Sequence, residues 1–317
     1  MIHLNDVAKS YGGWLARRRR HAVRALDGVT LDVPPGTAMG IVGPNGAGKS
    51  TLIRILLGYL HASSGSVSLG GMEPRAYVGS RGVAYLPELV AVPPSWTVEH
   101  AMRVFASLGE IAEPEERIEA SLARVGLEGA RDRRVGTLSK GMLQRLGIAQ
   151  ALLGERKVMV LDEPTSGLDP EWTAELRTIV AEWRAADAER VVLIASHDLH
   201  ELERTADRVA VLVDGSVREV FDLRAPADVF PPYRLEVEAA THAADAVHAA
   251  FPGAVAEEDD PLAFRIAPKD ANDLSARLAD ALRRGVRVRA VAPERPTLEQ
   301  RFRGSVARAR GGREGGR

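Results

Sequence analysis

Leu138-Ser-Lys-Gly-Met-Leu-Gln-Arg145 decides how the rest of this chain is read. It is a small-residue turn opening a helix, and it carries no phosphate-binding glycine series of its own. That series lies almost a hundred residues earlier, in Gly43-Pro-Asn-Gly-Ala-Gly-Lys-Ser-Thr51, which matches the phosphate-loop pattern G-x-x-x-x-G-K-[ST] in full. A single nucleotide needs one such cradle. A second turn of the same character suggests a nucleotide shared between two copies.

The phosphate loop has a mechanical reading. Its glycines let the backbone turn so that successive N–H groups, including those of Gly46, Ala47 and Gly48 and those opening the next helix, face a phosphate. Lys49 can reach the β- and γ-phosphates, and the Ser50 hydroxyl is suited to a magnesium ion. Ala38-Met-Gly-Ile-Val42 before the loop reads as a buried strand, and Ser50 to Leu60 after it as a helix, which is the context the motif requires.

Further along, Val158-Met-Val-Leu161 is an apolar run of strand length ending in Asp162 and Glu163. Asp162 suits outer-shell holding of magnesium, and Glu163 suits polarising an attacking water. Val191-Val-Leu-Ile-Ala195 is a second such run, separated from the first by an amphipathic helix around Trp172 to Ala186. Continuous apolar strands alternating with helices predict a parallel sheet covered on both faces. Ligands of such sheets sit beyond the carboxyl ends of the strands, where His197 follows Ala195 and can reach a γ-phosphate.

The edges of this core also have readings. Ile2-His3-Leu4 and Val29 to Val33 alternate as half-buried strands, with the basic insertion Trp14 to His21 between them. Thr97 to Gly126 has helical spacing broken near Pro114, and a helix runs from Ser139 through Ala151. Val209–Val213, Asp214-Gly215 and Ser216–Val220 predict a hairpin with a type I′ turn. Three prolines between Leu223 and Pro232 mark a linker. Beyond it, residues 233–303 read as strand, helix, strand, strand, helix, strand and a short helix from Pro296, the βαββαβ order of a small ferredoxin-like α+β domain. Residues 304–317 are rich in Gly and Arg and read as disordered.

Composition sets the outer limits. The chain of 317 residues has 45% apolar and 27% charged residues, ordinary for a globular protein with one large and one small domain. With 42 basic and 43 acidic side chains, bulk charge does not argue for nucleic acid. The absence of cysteine excludes disulfides and thiolate metal sites and suits a reducing compartment. No run reaches the ~18–20 apolar residues of a membrane span, and the first residues lack the basic start and apolar core of a signal peptide. The expectation is a chain that stays inside the cell.

The phosphate loop, Leu-Ser-Lys-Gly-Met, Val-Leu-Asp-Glu-Pro, Ser166-Gly-Leu-Asp169 and Ser196-His197-Asp198 occur in that order at ordinary intervals. The chain resembles the nucleotide-binding subunits of ATP-binding cassette (ABC) transporters over residues 1–222. Its C-terminal part, with Pro296-Thr-Leu-Glu-Gln-Arg-Phe302, is similar to the domain appended to ABC-2-type exporter ATPases. The resemblance implies an α/β phosphate-loop cassette with a mixed-sheet core, an antiparallel β subdomain and a helical subdomain. ATP would be bound by Gly43, Asn45, Gly46, Ala47, Gly48, Lys49, Ser50, Thr51 and Asp162. Tyr11 would stack on adenine, with Trp14 a competitor. Mg²⁺ would be held by Ser50 and Glu88, with Asp162 behind them. Glu163 would be the catalytic carboxylate, His197 the γ-phosphate sensor and Asp169 a coupling residue at a dimer seam. Ser139 and Gly141 would hold the γ-phosphate bound to the opposite subunit of a homodimer or heterodimer.

Two positions depart from the family pattern. Glu88, in Tyr85-Leu-Pro-Glu88, stands where glutamine is usual; it keeps a side-chain oxygen, adds a charge and loses an amide donor. Lys140 and Met142 replace glycine and glutamine in the signature, leaving Ser139 and Gly141 intact. The implied function is ATP hydrolysis driving a separate membrane permease from the cytoplasmic face, in the export direction. The rival is an ABC ATPase acting on ribosomes or DNA, which would usually carry two cassettes or long heptad arms. Arg17–Arg20 reads as a solvated loop, with contact to anionic lipid as a second reading.

Overall fold

The computed structural model describes residues 1–12, 23–224, 231–239, 242–257, 260–293 and 297–314. Trp14, the basic insertion 15–21 with Arg17–Arg20, and Pro296 lie outside them. The chain divides into two compact units, one made of Met1–Arg224 with Phe302–Arg317, the other of Ala225–Arg301.

In the first unit, β1 (Ile2–Tyr11) pairs antiparallel with β2 (Val23–Val33). Next come β3 (Ala38–Val42), α1 (Lys49–Leu56) and β4 (Ser64–Leu69), which lies on the other side of β1. A helical stretch follows: α2 (Pro74–Arg81), the short strand β5 (Ala84–Leu86), α3 (Val98–Leu108), α4 (Pro114–Arg124) and α5 (Lys140–Leu152). Then β6 (Val158–Asp162), α6 (Pro170–Ala185), β7 (Val191–Ala195) and α7 (Leu199–Thr205) lead to the hairpin β8 (Arg208–Val213) and β9 (Ser216–Asp222).

The main sheet has six strands in the order β5-β6-β7-β3-β8-β9, all parallel except β9. Every residue of β3, β6 and β7 is buried, because both faces are covered, one of them by α1 and the antiparallel sheet. That explains their uninterrupted apolar sequences. Asp214 and Gly215 between β8 and β9 both have positive φ, 50° and 78°, as a type I′ turn demands. The core joins the main sheet to the antiparallel sheet through Ile2, Leu4, Leu26, Leu52 and Ile53, all at most 2% exposed.

The second unit contains β10 (Tyr233–Val237), α8 (Ala243–Ala250), β11 (Val255–Ala256), β12 (Ala263–Ile266), α9 (Ala271–Arg283) and β13 (Val288–Pro293). Its sheet order, β11-β12-β10-β13 with antiparallel neighbours, is ferredoxin-like. Phe264, Leu235 and Val247 centre its own core.

The tail differs from its sequence reading. The expected short helix and residues 304–314 of the tail read as disordered form one helix, α10 (Leu298–Glu314), and the part from Phe302 onward belongs to the first unit. Ala and Arg are strong helix formers, which offsets Gly304, Gly311 and Gly312. Ser305 and Arg308 also bind Glu219 of β9, 86 and 89 residues earlier in the chain, an anchor that composition cannot reveal.

Candidate nucleotide site

Strand β3 delivers the phosphate loop to the carboxyl edge of the main sheet, and α1 receives it. Gly46 and Gly48 have φ of 79° and 110°, a region unfavourable to side chains. Gly43 is constrained by space instead: a Cβ there would stand 2.1 Å from the Leu212 carbonyl oxygen of β8. Gly48, at the N-cap of α1, brings no side-chain cap, so the first amides of the helix remain for an anion. Lys49 Nζ donates to the Gly43 carbonyl across the loop. The loop borders an open cavity of about 870 Å³, large enough for a nucleotide.

Gly43, Asn45, Gly46, Ala47, Gly48, Lys49, Ser50 and Thr51 all line that cavity, as do Glu88, Asp162, Glu163 and His197. Asp162 ends β6 and is 8% exposed. Burial, and then the charges of Glu88 and Glu163, push its carboxyl up to about 6, against the opposing pull of Lys49 and Arg54. Three carboxylates, Glu88, Asp162 and Glu163, thus face one phosphate loop. The Ser50 hydroxyl and the Asp162 and Glu88 oxygens fit magnesium, which takes few protein ligands and completes its shell from phosphate and water. Among the described residues no group of three or more His, Asp or Glu side chains could hold a metal unaided.

Glu163 is held in an unusual backbone state, φ 49°, with its amide donating to the Ala195 carbonyl at 2.8 Å. Its carboxylate lies 2.7 Å from His197 Nδ1 and accepts from the His197 amide and the Ser196 hydroxyl, each at 3.3 Å. The ends of β6 and β7 thus aim the acid and the imidazole together.

Four expected site residues lie elsewhere. Ser139, Gly141, Asp169 and Tyr11 do not line the cavity. Ser139 caps α5, its hydroxyl accepting from the Met142 amide at 3.2 Å, and Asp169 caps α6, accepting from Trp172 at 2.8 Å. The signature nevertheless touches the loop after β6: Lys140 Nζ donates to Ser166 Oγ at 3.1 Å, and Gln144 Nε2 to the Pro164 carbonyl at 3.0 Å. The Tyr11 hydroxyl stands 3.4 Å from Thr51 Oγ1. Sequence reading missed Ser166, Phe302 and Val306, which also line the cavity. For the last two the available signal was their four-residue spacing, visible once the tail is taken as helical.

Comparison with known proteins agrees with this geometry. Residues 26–166 match the family model described as ABC transporter. The ABC transporter ATP-binding protein YdbJ of Bacillus subtilis (strain 168) is 32% identical over 244 residues, 75% of this chain and 74% of that one. The Nod factor export ATP-binding protein I of Burkholderia thailandensis is 38% identical over 200 residues, 60% of this chain and 63% of that one. Among solved structures, the dimeric post-hydrolysis ATP-binding cassette MJ0796 with ADP and Pi superposes with a TM-score of 0.64 at 22% identity, covering 71% of this chain and all of that one. A likeness this long, running through the phosphate loop and the carboxylates facing it, makes the chain a member of the ATP-binding ATPase subunits of the ABC transporter family.

Proposed function

We propose that two subunits of this kind, either two copies of this chain or this chain and a homologue, close head to tail around two ATP molecules and drive a separate membrane permease in export. The separation of the signature from the phosphate loop carries this reading. Lys49, Asp162, Glu163 and His197 gather on one cavity while Ser139 and Gly141 stand outside it. A second subunit's Ser139 hydroxyl and α5 N-terminus would supply what that cavity lacks at the γ-phosphate. Asp169, just ahead of α6, would lie along the seam and couple the two sites.

Magnesium, held by Ser50 and Glu88 with Asp162 behind, would neutralise the developing phosphate charge. Glu163 would position the attacking water, and His197, paired with it, would sense the γ-phosphate. The work is orientation and electrostatics around an in-line attack. Export is supported by the name of the Nod factor relative and by the domain similarity at the C-terminus. Among the described residues no helix is long and apolar enough to cross a membrane, so a permease partner would bring the chain to the cytoplasmic membrane face. No feature of the site favours the ribosome or DNA reading.

Glu163→Gln should stop hydrolysis and accumulate an ATP-bound dimer on size-exclusion chromatography. A chain that stays monomeric under saturating ATP and magnesium would sink the shared-site model.

A further inference from the structure

The nucleotide cavity has an apolar wall that none of the five motifs supplies. Phe302 and Val306 line it together with Ala25 of β2. Four residues apart on α10, they share one helix face. Both are half-buried, and Ser305 beside them is 3% exposed. Glu219 of β9 pins this segment: its carboxylate accepts from the Ser305 hydroxyl and, at 2.8 Å, from an Arg308 guanidinium nitrogen. The same hairpin backs the phosphate loop, since the Leu212 carbonyl abuts Gly43 and the Gly215 amide donates to the Ala47 carbonyl at 3.0 Å.

A phenyl ring and an isopropyl group do nothing for a phosphate. The loop amides and Lys49 take the triphosphate, and what remains of a nucleotide is a flat base on a sugar. Such a body gains from aromatic surface that excludes water. Tyr11, the base contact expected from sequence, does not line the cavity. We propose that Phe302 and Val306 form the wall against the nucleoside part of ATP, with Phe302 a nucleotide-contacting residue. Glu219, through Ser305 and Arg308, is the positioning residue that holds the wall in place. This inference rests on the ATP-binding reading of the phosphate loop.

The experiment compares equilibrium binding of ATP and of inorganic tripolyphosphate to the full chain and to its Phe302→Ala, Phe302→Trp, Glu219→Gln and Lys49→Ala variants. Phe302→Ala should weaken ATP about fivefold or more, the loss expected for one aromatic–base contact, and leave tripolyphosphate unchanged. Glu219→Gln should weaken ATP less, again without affecting tripolyphosphate. In Phe302→Trp the added indole emission, compared with the wild-type background, should respond to ATP and not to tripolyphosphate. Unchanged ATP affinity in Phe302→Ala overturns the proposal. Tighter ATP binding overturns it as well, by identifying the helix as a plug, and so does equal loss of both ligands. If Phe302→Ala fails to fold, an unresponsive indole in Phe302→Trp is decisive against the wall. Lys49→Ala should lose both ligands; if it keeps both, the phosphate-loop reading has failed and not the wall alone.

Discussion

Among the described carboxylates, Asp162 is the one that burial and neighbouring charges push up to about 6. Its carboxyl rises on folding from 3.8 to about 6. A carboxyl raised in this way favours the folded chain while protonated. Without nucleotide and metal, that contribution is present below about pH 4 and is lost as pH rises through about 6. Its ceiling, from the size of the shift, is on the order of 3 kcal/mol. Asp162→Asn carries no charge and should therefore melt higher than the wild type at about pH 8, with the two converging near about pH 4. Equal melting at both values would remove the proposed strain. The Glu88 carboxylate adds to the same field, so Glu88→Gln should retain at least comparable ATPase activity. Complete loss of turnover would give Glu88 a role that an amide cannot fill.

The elements that were legible in sequence are those whose burial decides their composition. β3 and β7 coincide with their apolar runs because both faces are covered, and α6 and the β8–β9 hairpin follow from a helical period and an Asp-Gly turn. β4 was not legible: Ser64-Gly-Ser-Val-Ser-Leu69 offers few apolar side chains, and backbone pairing to β1 defines it. α7 is too short to show a period. In the site, the ordered motifs located the phosphate loop, the acid pair and His197 in chain positions. They carried no information on the Glu163–His197 hydrogen bond or on Phe302, which depend on how separate elements meet. At this scale Ser139 caps α5, and in the proposed dimer the same hydroxyl would face the partner's γ-phosphate. Ser139→Ala should cost about 1 kcal/mol in denaturant unfolding, the usual loss for an N-cap, and should also weaken ATP-dependent dimerisation. Loss of stability with dimerisation intact would confine Ser139 to capping.

For the whole molecule, a shared site makes a statement about mixtures. Lys49→Ala spoils the phosphate loop of one subunit, and a bulky Ser139→Arg spoils the signature of the other. Neither variant alone should hydrolyse ATP. Mixed in equal amounts as exchanging homodimers, they should recover roughly a quarter of wild-type activity, because half the dimers are mixed and each keeps one intact site of two. No recovery in mixtures shown to contain mixed dimers would argue against independent composite sites.

The first unit is interrupted: the chain leaves it at Arg224 and returns at Phe302. On the ribosome, the phosphate loop emerges early, while the segment carrying Phe302 emerges only after the second unit. Chains grow at about 5–20 residues per second, so the first unit waits several seconds, through the whole of the second unit, for the segment carrying Phe302. A nascent or prematurely terminated chain would carry every nucleotide motif and still lack part of the pocket wall. Synthesis of the second unit thus becomes a condition on the finished pocket, written into the order of the chain.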